Sequence, residues 1–191
     1  MGRRDDLLSA AATLFRERGY YGVGMQDIGG AAGIVGSGVY RHFASKEALL
    51  VELIDGLLDD LVAGAQLRRE EHTAPAATLD ALVDLHLEFA LDREGLIAVW
   101  LREERHLPDA DRRRARRTQK IYLQQWVDVL REVRPEIDER EGHLMVQAAV
   151  SLLNSVAWQR PEVPRARAAE RLRHMARQAL ELAPALEVAG L

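Results

Sequence analysis

Five consecutive residues, Val39-Tyr40-Arg41-His42-Phe43, follow a segment that places Gly33, Gly36 and Gly38 within six positions. Tyr40 and His42 can donate hydrogen bonds to phosphate oxygens, Ser37 can reach a phosphate or a base edge, and Arg41 carries a fixed positive charge. Gly36 and Gly38 remove side chains where backbone N–H groups would approach a phosphate or a base edge at a helix start. Gln26 and Lys46 flank this segment, and Arg3 and Arg4 stand near the beginning of the chain. All four are further candidates for contact with DNA, the two arginines as an arm on phosphate or in the minor groove. This is the chemistry of gripping a nucleic-acid backbone. The competing reading is a plain glycine-rich turn between two helices, with Arg41 facing solvent or the domain interior. Val39 and Phe43 are core residues under either reading.

A second set of residues points to ligand binding. Arg112-Arg113-Arg114-Ala115-Arg116-Arg117, with Lys120, forms a basic run. It is either a solvated face paired with acids such as Glu103 and Glu104, or a group in which Arg113, Arg116 and Arg117 hold the phosphates of a large anionic ligand. His86, Glu103, Tyr122, Gln125 and Asn154 are polar residues on apolar stretches and are candidates for orienting a ligand. Trp100, Trp126 and Trp158 are the three tryptophans, each fit for a core or a pocket wall.

Catalytic and metal chemistry have little support. The spacing Glu103-x-x-His106 is that of di-iron bundles, but such a site needs a second pair and two more glutamates, and no second Glu-x-x-His falls in the predicted helices. There is no phosphate-cradling loop, nucleophile elbow or HExxH motif. The chain has no cysteine, so disulfides, thiolate metal sites and thiol catalysis are excluded. The expectation is no catalytic residue, no metal and no cofactor. A metal-binding helical-bundle enzyme and a helical interaction module without DNA binding stand as alternatives.

Helices must position these groups. Of the 191 residues 48% are apolar and 5% aromatic, a balance that predicts an all-α protein with a real core. Hydrophobic spacing, caps and prolines at 75, 108, 135, 161 and 164 predict nine helices: about 3–19, 25–32, 36–43, 46–71, 76–93, 94–106, 109–134, 138–160 and 164–182. The first three form a small unit, and two helices joined by a glycine-containing turn are the helix-turn-helix pattern. The domains expected are 1–46 for DNA binding and 47–191 for ligand binding and dimerisation.

Charge agrees with that division. The chain carries a net charge of −4, yet residues 1–46 hold six arginines and lysines against four acids. Gly142 to Gln159 lacks Asp, Glu, Lys and Arg, but its His143, Gln147, Ser151, Asn154 and Ser155 suit a helix between protein partners rather than a membrane span. The opening residues lack the apolar core of a signal peptide, and the expected location is cytoplasmic, with no membrane partner.

The segment from Leu7-Leu8-Ser9-Ala10-Ala11 through Gly19-Tyr20, Met25-Gln26-Asp27-Ile28, Ala32-Gly33-Ile34 and Val39-Tyr40-Arg41-His42-Phe43 to Ser45-Lys46-Glu47 closely resembles the N-terminal domain of TetR-family transcriptional regulators. The resemblance covers about Leu7 to Leu50. It departs from the family pattern at Gly24, where a capping Thr is usual, and at Gly29, Val35, Ser37 and Gly38. It implies a homodimer that binds a palindromic double-stranded operator, usually as a repressor, and is released by a small-molecule effector in the C-terminal domain. It also implies dimerisation through the last two helices. There Leu144, Ala148, Leu152 and Ser155 form one stripe and Leu172, Met175, Ala176 and Ala179 another, with intrachain core as the alternative. The tract from Glu103 through the arginines to Tyr122 and Trp126 is similar to that of members answering to acyl-coenzyme A thioesters. The expected switch has ligand pushing the helix near 94–106 against the helix from Lys46, which shifts the spacing of two recognition helices held about 34–36 Å apart.

Overall fold

A computed structural model describes residues 2–34, 36–92, 94–157 and 162–182. The described residues form α-helices and short 3-10 turns only. The helices are α1 (Arg3–Arg18), α2 (Met25–Ala31), α3 (Lys46–Glu71), α4 (Pro75–Asp92), α5 (Glu94–Glu103), α6 (Asp109–Val133), α7 (Glu139–Leu153) and α8 (Arg165–Ala179). The 3-10 turns are Gly36–Arg41, Glu104–His106 and Asn154–Ala157. The protein is therefore all-α, with the predicted third helix realised as a tight 3-10 turn, called here the recognition turn. The predicted helices 94–106 and 138–160 both tighten into 3-10 geometry near their ends, and Val35, Trp158 and Pro161 lie outside the described residues. None of the described helices is long and apolar enough to cross a membrane.

The chain divides into two compact units, one of residues 1–63 with 92–122 and one of 64–91 with 123–191. In the first, α1 buries Leu7, Ala11, Leu14 and Phe15, the one-face spacing of an amphipathic helix. It packs on α2 and α5. Gly19 ends α1 with φ +70°, and its N–H donates to the Phe15 carbonyl at 2.9 Å. Gly24 opens α2 without a side chain to cap it. Asp27 compensates, since its Oδ2 accepts from the Gly24 N–H at 2.7 Å, one half of a capping box. Gly33 then turns the chain with φ +67°, a conformation that only glycine adopts freely. Ser45 Oγ accepts from the Ala48 N–H at 3.1 Å, which caps α3 as its position predicts. Leu49, Leu50, Leu53, Ile54, Leu57, Leu58 and Leu61 are buried along α3.

In the second unit α7 packs on α8. Val146, Ala149, Val150 and Leu153 are buried on α7, and Ala168, Leu172 and Ala176 on α8. Asp138 caps α7 by accepting from the Glu141 N–H at 2.8 Å. Arg173 and Arg177 of α8 pair with Asp84 and Asp80 of α4.

In the first unit α2 and the recognition turn approach closely. A Cβ on Gly29 would lie 2.4 Å from Val39 Cγ2 and 3.0 Å from the Ile34 carbonyl oxygen. Gly29→Ala should therefore lower stability by about 1–3 kcal/mol, the usual cost of overpacking, by forcing the turn off α2. Val39→Ala in the same chain should recover part of that loss. Urea unfolding of the two variants checks this, and a Gly29→Ala protein as stable as the parent would refute the close packing.

Candidate nucleic-acid interface

Val39 and Phe43, four residues apart, are 1% and 3% exposed. With these two anchors turned inward, the residues around them must face out. Tyr40 is 56% exposed, Ser37 and Arg41 are exposed, and His42 and Gly38 are half-buried. Gly36 opens the turn. The turn is short and closed by His42 N–H and Phe43 N–H, which both donate to the Val39 carbonyl, at 3.0 and 3.1 Å. Gln26 is exposed in the first turn of α2, and Arg3 is exposed at the start of α1. These groups can donate to phosphate oxygens and base edges.

Two cations expected on DNA make bonds within the head, Lys46 half-buried and Arg4 exposed. Lys46 Nζ donates to the carbonyls of Tyr20 and Val23, both at 2.7 Å, and lies 4.2 Å from the centre of the Tyr20 ring. The link between α1 and α2 leaves carbonyls without helical partners, and an ammonium with three donors satisfies two of them at once. Arg3 and Arg4, expected as an arm, belong to the first turn of α1, and Arg4 is bonded to Glu52 of α3 and the His42 carbonyl.

Tyr20 is a junction. Its ring packs on Phe15 with centroids 5.5 Å apart and stacks on His106 at 5.0 Å with 13° between the planes. His106 also meets the edge of Tyr21 at 4.5 Å and sits 3.4 Å from Glu103 Oε2. Burial, with Glu47 and Tyr21 adding to it, pushes the Tyr20 hydroxyl up to about 12, so it stays protonated. Contacts thus link α5 to α1, and His106 through Tyr20 to Lys46 at the start of α3. Glu103 and His106 are joined by no third ligand, since the described residues hold no group of three His, Asp or Glu able to bind a metal.

The residues predicted to bind ligand fall in both units. Trp100, Glu103 and Tyr122 of the first are buried. In the second the structure brings three together: His86 Nε2 lies 2.9 Å from Asn154 Oδ1, and the His86 ring meets Trp126 edge-on at 6.2 Å. Gln125 is buried in the same unit. His86 is 3% exposed. Burial drives its pKa down to about 4 against the opposing effect of the Asn154 hydrogen bond, so the imidazole is neutral and donates through Nε2. Trp158 lies outside the described residues.

The basic run is largely paired. Arg112 binds Asp109, Arg114 binds Asp111 and Asp55, and Arg116 binds Glu104 at 3.0 Å. Among the described residues Arg113 and Arg117 are exposed and have no ion-pair partner. The two predicted dimer stripes divide as well. Leu172 and Ala176 are buried within the chain, whereas Leu144 is 70% and Met175 41% exposed. Ala148 and Ser155 are exposed, and Leu152 and Ala179 are half-buried.

Comparison with known proteins agrees with this arrangement. Residues 7–53 match the family described as bacterial regulatory proteins, tetR family, and residues 72–162 match the tetracyclin repressor-like C-terminal domain. Over 158 residues the chain is 33% identical to the HTH-type transcriptional repressor KstR2 of Rhodococcus jostii (strain RHA1), covering 82% of this chain and 77% of that one. The chain belongs to the TetR family. TetR-family structures superpose on nearly all of it. PfmR from Thermus thermophilus gives a TM-score of 0.80 at 27% identity, over 94% of this chain and 99% of that one. The ketosteroid transcriptional regulator KstR2 of Mycobacterium tuberculosis gives 0.80 at 28%, over 94% and 93%. As a TetR-family member the protein is a DNA-binding regulator of transcription.

Several residues of this TetR-family head escape sequence reasoning. Glu52 stands 48 residues from Arg4, a separation with no local signature. Asp27 was legible, three residues after Gly24 at capping-box spacing. The role of His106 as a stacking partner has no sequence signal, because the same spacing to Glu103 reads as a metal motif.

The buried histidine gives a pH signature. Its folded pKa, about 4, lies below the unfolded value of about 6.5. The unfolded chain therefore takes up the proton first as pH falls, and stability is complete above about 6.5 and drains away toward 4. From pH 7.5 to 5 this group alone should remove about 2 kcal/mol. Urea unfolding at the two pH values should show a drop that shrinks by about that amount in His86→Gln. An unchanged drop would rule out His86 as its source.

Proposed function

We propose that the protein is a homodimeric repressor that binds a palindromic operator and is released by a small apolar or acyl-coenzyme A-like effector. The observation that carries the DNA half is the outward face of the recognition turn, with Ser37, Tyr40 and Arg41 exposed beside buried Val39 and Phe43. Arg3, Gln26, His42 and the glycines 36 and 38 complete the proposed DNA surface. Residues 1–46 are the reading head and 47–191 the effector and dimer domain. Most of the contacts position the duplex, and DNA shape contributes to sequence preference.

The exposed Leu144 and Met175, with Ala148 and Ser155, support a seam between two copies along α7 and α8. Apolar side chains this exposed are stabilised when a second copy covers them. Leu144→Glu should convert the dimer to monomer in sedimentation and should weaken operator binding at least tenfold, because one head then grips one half-site. A variant that stays dimeric would place the seam elsewhere.

For the effector, His86, Trp126 and Asn154 are the proposed orienting group, with Gln125 of the same unit as further lining. Arg113 and Arg117 are the cations most available to phosphates, and Arg116 would first have to leave Glu104. A relative described as a ketosteroid transcriptional regulator supports an apolar effector, and a structure of the same fold is described in complex with isovaleryl coenzyme A and operator DNA. The effector must bind the DNA-incompetent state more tightly, by about 10⁴-fold to invert a 1:99 population.

The test begins by selecting duplexes from a random pool and measuring affinity against potassium chloride. Phosphate contacts require affinity to fall with salt. The selected duplex is then titrated with palmitoyl-coenzyme A, a steroid-acid coenzyme A thioester, free coenzyme A and the free acids. The expected result is a palindromic site, released by a thioester and not by coenzyme A alone. Selection of no duplex refutes the DNA half, and retention of DNA through every thioester refutes the effector class.

A further inference from the structure

We infer that Arg4 and Glu52 form a clamp that sets the exit of the recognition turn, so that Arg4 is a positioning residue for sequence reading rather than a DNA contact. The functional half of this inference rests on the DNA-reading function proposed above. The guanidinium makes three different contacts at once. Nε donates to Glu52 Oε1 at 2.8 Å, and Nη2 pairs with Glu52 Oε2. Nη1 donates to the His42 carbonyl at 2.6 Å, and the guanidinium carbon lies 4.2 Å from the centre of the Phe43 ring.

The His42 carbonyl is the first one past the recognition turn Gly36–Arg41, and Ser45 begins the cap of α3 three residues later. One planar fork thus ties the first turn of α1, the end of the recognition turn and the second turn of α3 together. The geometry explains the choice of side chain. A guanidinium has five donors in one plane, enough for a two-point grip on a carboxylate and a third bond to a carbonyl, with its face left for an aromatic ring. An ammonium lacks both the fork and the face. Arg4 is exposed like its neighbour Arg3, but with its donors committed to Glu52 and His42 it is not the free cation that a phosphate contact needs.

The two roles predict opposite signs. If Arg4 gripped phosphate, Arg4→Gln would lower the salt slope of operator binding by about one per half-site, about two per dimer. Glu52→Gln, which removes a negative charge near DNA, would then tighten binding. If Arg4 is a clamp, Arg4→Gln and Glu52→Gln both weaken binding about tenfold in the dimer, the double variant is no worse than either, and the salt slope is unchanged. Arg4→Lys should fail to rescue.

The experiment measures salt-dependent affinity of these variants for the duplex selected by the wild-type protein, together with hydrogen–deuterium exchange of the DNA-free dimer. Faster exchange confined to about 36–45, with α4, α7 and α8 as protected as in wild type, supports the clamp and shows that the variants fold. Unchanged exchange at 36–45 overturns it, as does a slope loss near two with tighter binding by Glu52→Gln. If the wild-type protein selects no duplex, the DNA-reading half fails, and the exchange measurement still decides the clamp.

Discussion

A recognition element of six residues cannot hold its own shape. Isolated helices shorter than about 12–15 residues are marginal in water, and a 3-10 turn closes fewer and poorer hydrogen bonds than an α-helix. The geometry of Gly36–Arg41 is therefore borrowed from its surroundings. Val39 is pressed onto the bare backbone of Gly29, Phe43 anchors the exit in the core, and Ser45 starts α3 immediately afterwards. The constraint runs in both directions. Because the inward residues are fixed by packing, Ser37, Tyr40 and Arg41 are presented by rigid elements, as a reading surface requires.

That constraint also decides what happens to charge. Of the six basic residues in the head the sequence offers Arg3, Arg4, Arg41 and Lys46 to DNA, but a head this small must spend some of them on itself. Lys46 satisfies carbonyls in the link between α1 and α2, and Arg4 bonds Glu52 and the carbonyl that follows the recognition turn. The α1–α2 link and the turn exit are irregular backbone, where helical hydrogen bonding fails and an outside donor is needed.

The fold was legible in the sequence to a large degree. Apolar spacing, prolines and caps placed the helices to within a few residues. Gly19, Gly33 and Ser45 do at their positions what local rules require, because turns and caps depend on a few neighbours. The outward and inward sides of the recognition turn were legible for the same reason, from Val39 and Phe43 at helical spacing. The partners of the cations were not. Arg4 with Glu52, and Lys46 with Tyr20 and Val23, are contacts across 20 to 50 positions that no periodicity reports. In the basic run, by contrast, Asp109 with Arg112 and Asp111 with Arg114 sit at one-turn spacing and could be read directly.

Tyr20 is where the stapled head and the 3-10 turn after α5 meet, since Lys46 and His106 both lie against its ring. Its share in the proposed release can be bounded. A stacked ring pair contributes about 0.5–1.5 kcal/mol beyond area burial, so two copies in a dimer supply about 1–3 kcal/mol. Inverting a two-state population from 1:99 to 99:1 takes about 5.5 kcal/mol. The His106–Tyr20 stack is therefore too weak to carry a full switch alone. The apolar packing of α5 on α1 is one further place where such a difference could be stored, each buried methylene moved into or out of contact being worth about 0.8 kcal/mol. A shift that uncovered a few methylenes per protomer would suffice, which fits a switch driven by a small tilt rather than by unfolding of the head.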